Sequence, residues 1–154
     1  MFRSGLLAFG LVLTLGALVP NNVAKAADPV FCNNYASEAE KTVSFAKALK
    51  CGFQGPRWGS DKGPHFAWCL LVDNGLAQSE TDARTADLKQ CTCQWYADQT
   101  MVQIAMNTAK KCGFNGLRWL DDKTAHYNWC FNFNPGIDAM KSELSIRKKM
   151  LNGC

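Results

Sequence analysis

Arg57, Trp58, Asp61, Lys62, His65 and Trp68 return as Arg118, Trp119, Asp122, Lys123, His126 and Trp129, every one displaced by 61 positions. Three chemistries use such a set. The first is recognition. Tryptophan stacks on the apolar faces of sugars or on peptides, arginine and aspartate satisfy hydroxyls or charges, and Trp and Arg are enriched in binding hot spots. On this reading Arg57, Trp58, Asp61, His65 and Trp68 form one binding site. Arg118, Trp119, Asp122, His126 and Trp129 form a second, and the two gain from being held on one chain.

The second chemistry is metal binding. His65-x3-Cys69 and His126-x3-Cys130 have ligand-like spacing, Cys51 is within reach by count, and the Asp61/His65 and Asp122/His126 pairs add carboxylates. Zinc sites, however, favour closely spaced cysteine pairs, and Cys91-Thr92-Cys93 is the only near pair. The third is catalysis. Asp61-x3-His65 resembles a general-base pair, but no Ser or Cys nucleophile stands beside it. The chain has only two histidines, in matching places, whereas a single active site breaks such symmetry. No phosphate-cradling or dinucleotide motif occurs. We therefore assign no catalytic residue, no metal and no cofactor.

The same residues also have a purely structural use. Asp61 can N-cap a short helix over 62–69, with Pro64 tolerated in its first turn. His65, Trp68 and Cys69 then share a face, with Trp68 packed on a disulfide. Trp58 fills the loop, and Arg57 lies on an aromatic face as a cation–π clip. This structural use is the expectation for Trp58 and Trp119, and it competes with the binding surface for them.

The elements that position these residues follow from a duplication. CGFQGPRWGSDKGPHFAWC (51–69) and CGFNGLRWLDDKTAHYNWC (112–130) agree at 11 of 19 positions, and 32–69 agrees with 93–130 at 16 of 38. SETDARTADLKQC (79–91) then matches SELSIRKKMLNGC (142–154), with the shift grown to 63. Internal self-similarity of this kind marks tandem units. We place the first repeat unit at 27–91 and the second at 92–154, with cysteine frames at 32–91 and 93–154. Only Thr92 lies between the frames, so the halves are expected to pack together without a linker.

Tyr35, Ala39, Val43, Ala46 and Leu49 recur at helical steps, as do Tyr96, Ile104 and Ala109 less regularly. Gly52 and Gly113 are read as the glycine caps of these helices, with Phe53 on Ala48 and Phe114 on Ala109 as the accompanying contacts. Glu80, Arg84 and Leu88, and again Glu143, Arg147 and Leu151, step by four. They predict another helix with an exposed Glu-to-Arg pair of about 0.3–0.5 kcal/mol. Asn134-Pro135 is read as that helix's N-cap and first turn in the second unit. Leu70-Leu71-Val72 and Phe131-Asn132-Phe133 are too short to predict strands. The expected fold class is all-α, two tandem disulfide-stapled helical units packed together.

Eight cysteines, four per unit, read as disulfides in an exported chain. A helix over 33–50 is about 27 Å long, so it rules out Cys32–Cys51. If the third element runs antiparallel to the first, the pairs are Cys32–Cys91, Cys51–Cys69, Cys93–Cys154 and Cys112–Cys130. Cys32–Cys69 with Cys51–Cys91 is the alternative.

Residues 1–26 read as a secretory signal peptide: Arg3, an uncharged apolar run from Gly5 to Pro20, and Ala24-Lys25-Ala26 before the cut. That run of 16 residues is shorter than the roughly 20 a membrane span needs. The full chain has 17 Lys and Arg against 13 Asp and Glu. Removing the signal takes Arg3 and Lys25, leaving 15 against 13, a net charge of +2. This gives no nucleic-acid footprint, and the basic run 146–150 reads as a solvated helix face. The sequence therefore predicts a secreted or periplasmic, non-enzymatic binding protein, lectin-like with one site per repeat. Its partner is a glycan, a cell-envelope component or a secreted protein, with no nucleic acid and no membrane span. A metal-binding protein using the Asp/His pairs, and a small stapled inhibitor of a secreted enzyme, are the alternatives.

Overall fold

The computed structural model describes residues 26–154, so residues 1–25 of the expected signal peptide 1–26 lie outside the described residues. Five α-helices and two single 3-10 turns make up the described chain, and it contains no strand. The helices are α1 (Pro29–Ala48), α2 (Lys62–Cys69), α3 (Asn74–Lys110), α4 (Lys123–Phe133) and α5 (Gly136–Asn152). The 3-10 turns lie at Pro56–Trp58 and Leu117–Trp119, each just before a short helix. No described helix is long and apolar enough to cross a membrane.

Four of the five helices start on an aspartate. Asp28 accepts from the N–H groups of Val30 and Phe31 (2.9 and 3.0 Å), with Pro29 at the first helical position. Asp61 accepts from Gly63 N–H (2.9 Å), Asp73 from Leu76 (2.8 Å) and Asp122 from Ala125 (3.1 Å). Each bond satisfies a backbone donor that the helix itself cannot, an effect worth about 1 kcal/mol. α5 has no side-chain cap. Asn134, expected to open it, instead closes α4 in the left-handed conformation (φ 45°), donating its N–H to Cys130 O at 2.9 Å.

The caps closing α1 and α3 also sit two residues earlier than the glycines suggested. Lys50 and Lys111 take the left-handed conformation (φ 57° and 56°). Cys51 N–H then bonds Ala46 O (3.0 Å) and Cys112 N–H bonds Asn107 O (3.1 Å), the six-to-one bond of a Schellman cap. Gly52 and Gly113 lie beyond, also at positive φ, where they turn the chain into the loop. The cap contact is therefore Cys51 on Ala46, and Ala48 and Ala109 face solvent.

α2 carries the chain back toward the start of α1, where Ala27 N–H meets Val72 O at 2.8 Å. α3 then sets out in the same direction as α1. Tyr35 meets Arg84, Val43 clusters with Leu88, and Cys51 joins Cys91. This corrects the expected disulfides. The bonds are Cys32–Cys69, Cys51–Cys91, Cys93–Cys130 and Cys112–Cys154, with no free cysteine among the described residues. The expected scheme assumed that the third element ran antiparallel to α1 and brought Cys91 beside Cys32. With the two helices co-directional, Cys91 arrives at the far end of α1, beside Cys51.

α3 is 37 residues long and runs through Thr92 without a break, a rod of about 55 Å. α1 packs on its first part with α2 packed on α1, and α4 and α5 pack on its second part. The core is four small clusters. One holds Cys32, Tyr35 and Cys69, and another Val43, Ala46 and Trp58. A third holds Cys93, Tyr96 and Cys130, and the last Ile104, Trp119 and Leu151. Clusters this small leave much of the stability to the bridges, each worth roughly 2–4 kcal/mol.

Tryptic digestion without reduction checks the pairing. It should yield the peptide ending at Lys41 linked to 63–84, and 112–118 linked to 150–154. Finding 51–57 linked to 63–84 would restore the antiparallel scheme.

Candidate functional site

The repeated set does not form one exposed surface in either half. Trp58 is 8% exposed and Trp119 6%, and His65 and His126 are 5% exposed each. Trp58 stacks on Phe53 (ring centroids 4.0 Å apart, 25° between planes), and Trp119 on Phe114 (5.0 Å, 25°). The 3-10 turn makes this possible by pointing the indole inward from a loop that has little other regular structure.

Each histidine fastens that same loop. His65 Nε2 donates to Gly59 O at 2.8 Å, and His126 Nε2 to Leu120 O at 2.9 Å. Tyr35 and Tyr96 meet the imidazoles edge-on at 6.4 and 6.5 Å. Burial pushes the His126 pKa below the ordinary histidine value, opposed by the bond to Leu120 O, so the ring is neutral at pH 7. Asp61 and Asp122 are spent as helix caps. Among the described residues no three His, Cys, Asp or Glu side chains gather where they could hold a metal ion. The structure thus does not assemble the Asp/His pairs with cysteine into a metal centre.

Arg57 does not lie on an aromatic face as expected. It makes a two-pronged pair with Glu80, Nε–Oε1 at 2.6 Å and Nη2–Oε2 at 3.0 Å, and reaches Asp87 with Nη1 at 3.3 Å. Arg118 pairs in the same way with Glu143, at 2.9 and 3.1 Å. Lys123 takes Asp98 instead, at 2.5 Å. Trp68 and Trp129 are half-buried, leaning on Tyr35 (5.6 Å) and Tyr96 (5.2 Å).

The residues that the sequence reading placed wrongly are Arg84 and Arg147. Read as an exposed helix face, both are 1% exposed. Arg84 donates from Nε to Arg57 O (3.3 Å) and from Nη2 to Tyr35 OH (3.1 Å). Arg147 does the same with Arg118 O (2.9 Å) and Tyr96 OH (3.0 Å). The cation–π contacts belong to them, with the guanidinium carbons 5.4 and 5.6 Å from the Tyr35 and Tyr96 ring centres. Their retention at matching places, while most of 79–91 differs from 142–154, was the available signal.

The arrangement leaves a half-open cleft beside the set in the second half, of about 470 Å³, within the size range of small-ligand sites. Its walls include Leu117, Arg118, Leu120, His126, Trp129 and Arg147. No protein-family model, no curated protein and no solved structure matches this chain.

Trp58→Ala and Trp119→Ala should each lower stability by roughly 3–5 kcal/mol, the usual loss for a buried large aromatic. Circular dichroism melts of the oxidised protein read this directly. Two melts that match the wild type would mean that both indoles are dispensable to the fold.

Proposed function

We propose that the chain is an exported, non-enzymatic binding protein of the cell envelope or extracellular space, built from two fused copies of one stapled unit. Export is supported by the leader pattern in the sequence and by four disulfides, which suit an oxidising compartment. Fusion of two copies is supported by the repeated cysteine frame and by matching contacts 61 positions apart, such as His65 on Gly59 O and His126 on Leu120 O.

One observation carries the choice of recognition over chemistry. In both halves the reactive side chains are occupied by structural bonds. Cysteines are oxidised, the histidine Nε2 atoms hold carbonyls, and the aspartates cap helices. What each half still offers to a partner is the outer edge of Arg57 or Arg118 and the open face of Trp68 or Trp129. An aromatic face beside a fixed guanidinium, as Trp129 and Arg118 stand on one cleft, is the equipment of a glycan or envelope-material site, and the repeated residues give one per half. Trp58 and Trp119 serve it from behind as loop plugs.

The mature oxidised protein should be retained on isolated cell-envelope polysaccharide or on members of an immobilised glycan panel, with the ligand recovered chemically unchanged. Arg57→Gln or Arg118→Gln alone should weaken retention modestly. The double variant should lose it steeply, because avidity goes with the second site. Ligand turnover, or no retention on any of these materials, contradicts the reading.

A further inference from the structure

The two halves differ where their clefts should be alike. Where the first half has Pro56 and Gly59, the second has Leu117 and Leu120, 87% and 41% exposed at the mouth of the 470 Å³ cleft. Where the first half has Asp87, the carboxylate that reaches Arg57 Nη1 at 3.3 Å, the second has Met150. Charge is therefore balanced in one half and not in the other. Arg57 and Arg84 face Glu80 and Asp87, with Glu80 also 3.9 Å from Arg84. Arg118 and Arg147 face Glu143 alone, and no carboxylate of the described residues lies within 4.0 Å of the Arg147 guanidinium.

Arg147 is 1% exposed, forms part of the cleft wall, and keeps its Nη1 buried without a hydrogen-bond partner among the described residues. A buried guanidinium with an unmet donor and no carboxylate in direct contact, Glu143 on the same cleft wall being paired with Arg118, is costly to maintain, and an anion close by relieves it. The apolar mouth and the half-buried Trp129 ring add a surface for a hydrophobic body.

We propose that the second-half cleft binds a small carboxylate with an aromatic or alicyclic body. The ring lies against Leu117, Leu120 and Trp129, and the carboxylate takes the outer edge of Arg118 in the field of Arg147. The first half, with its charges closed and with Pro56 and Gly59 in place of the two leucines, does not take this ligand. The inference rests on the recognition reading above and adds a ligand class that the second-half site alone takes.

Titration calorimetry with benzoate, phenylacetate and cyclohexanecarboxylate, against benzamide and acetate, tests this on the mature oxidised protein. The cyclic carboxylates should bind with one site per chain, about tenfold or more tighter than either benzamide or acetate. Met150→Asp restores the first half's carboxylate and should weaken them by about tenfold. Leu117→Ser with Leu120→Ser changes only exposed side chains and should weaken them too, while leaving the melt unchanged. Two sites per chain, equal affinity for benzamide, indifference to the rim variant, or no heat up to about 1 mM ligand overturns the proposal. A protein that ignores the carboxylates yet is retained on glycan loses this inference alone. One that does neither loses the recognition reading as well.

Discussion

A buried guanidinium holds each half together. Arg84 leaves α3, donates from Nε to the backbone carbonyl of Arg57 in the loop and from Nη2 to Tyr35 OH of α1, so one side chain joins three elements. Arg147 does the same for α5, α3 and the second loop. Burying a cation is unfavourable unless its donors are met, and the partners available are a phenol, a carbonyl and an aromatic face. The positions of those three groups are fixed by the requirement to meet it. The loop therefore closes with Arg57 O turned inward, and its own side chain turned out onto Glu80 and Asp87.

The other features follow from that closure. With the loop drawn down on α3, Trp58 has only the Phe53 ring and the Val43–Ala46 stripe to cover, and His65 is left beside the Gly59 carbonyl. The disulfides bracket the arginine. Cys32–Cys69 lies in the cluster on one side of it and Cys51–Cys91 at the cluster on the other, so the start of α1 is tied covalently to α2 and the loop after α1 to α3. Since α3 serves both halves as one helix, the two loops are carried on a single rod, and two recognition sites on it would be held at a fixed spacing. The repeated residues look like a catalytic kit because the same types that do chemistry also satisfy an irregular loop.

Sequence periodicity was enough to see α1, the capped α2 and the helical character of 79–91, since Tyr35, Val43 and Ala46 mark a buried stripe and Asp61 stands where a cap belongs. The disulfide pairing was not legible, because it depends on the direction in which α3 departs, and nothing local in 70–74 states that direction. The cap register was misread because lysine, not glycine, takes the left-handed position at 50 and 111, and tertiary contacts overrode the residue preference. Arg84 was misread because a Glu-x3-Arg step carries no sign of which face is covered. Its burial comes from Tyr35 and Arg57, distant in sequence. The cleft was visible only as differences between the halves, at Leu117 and Leu120, whose convergence with Arg118, Trp129 and Arg147 on one place requires the fold.

The most direct test compares two substitutions within the first half by thermal melts of the oxidised protein. Arg84→Met keeps the bulk of the side chain but strands Tyr35 OH and Arg57 O, whereas Asp87→Asn touches only a solvent-exposed pair. If the buried guanidinium organises the unit, Arg84→Met lowers stability by about 2–4 kcal/mol, and Asp87→Asn by less than about 1 kcal/mol. An Arg84→Met protein that melts with the wild type would show that the disulfides and apolar clusters hold the loop unaided, and would contradict this account.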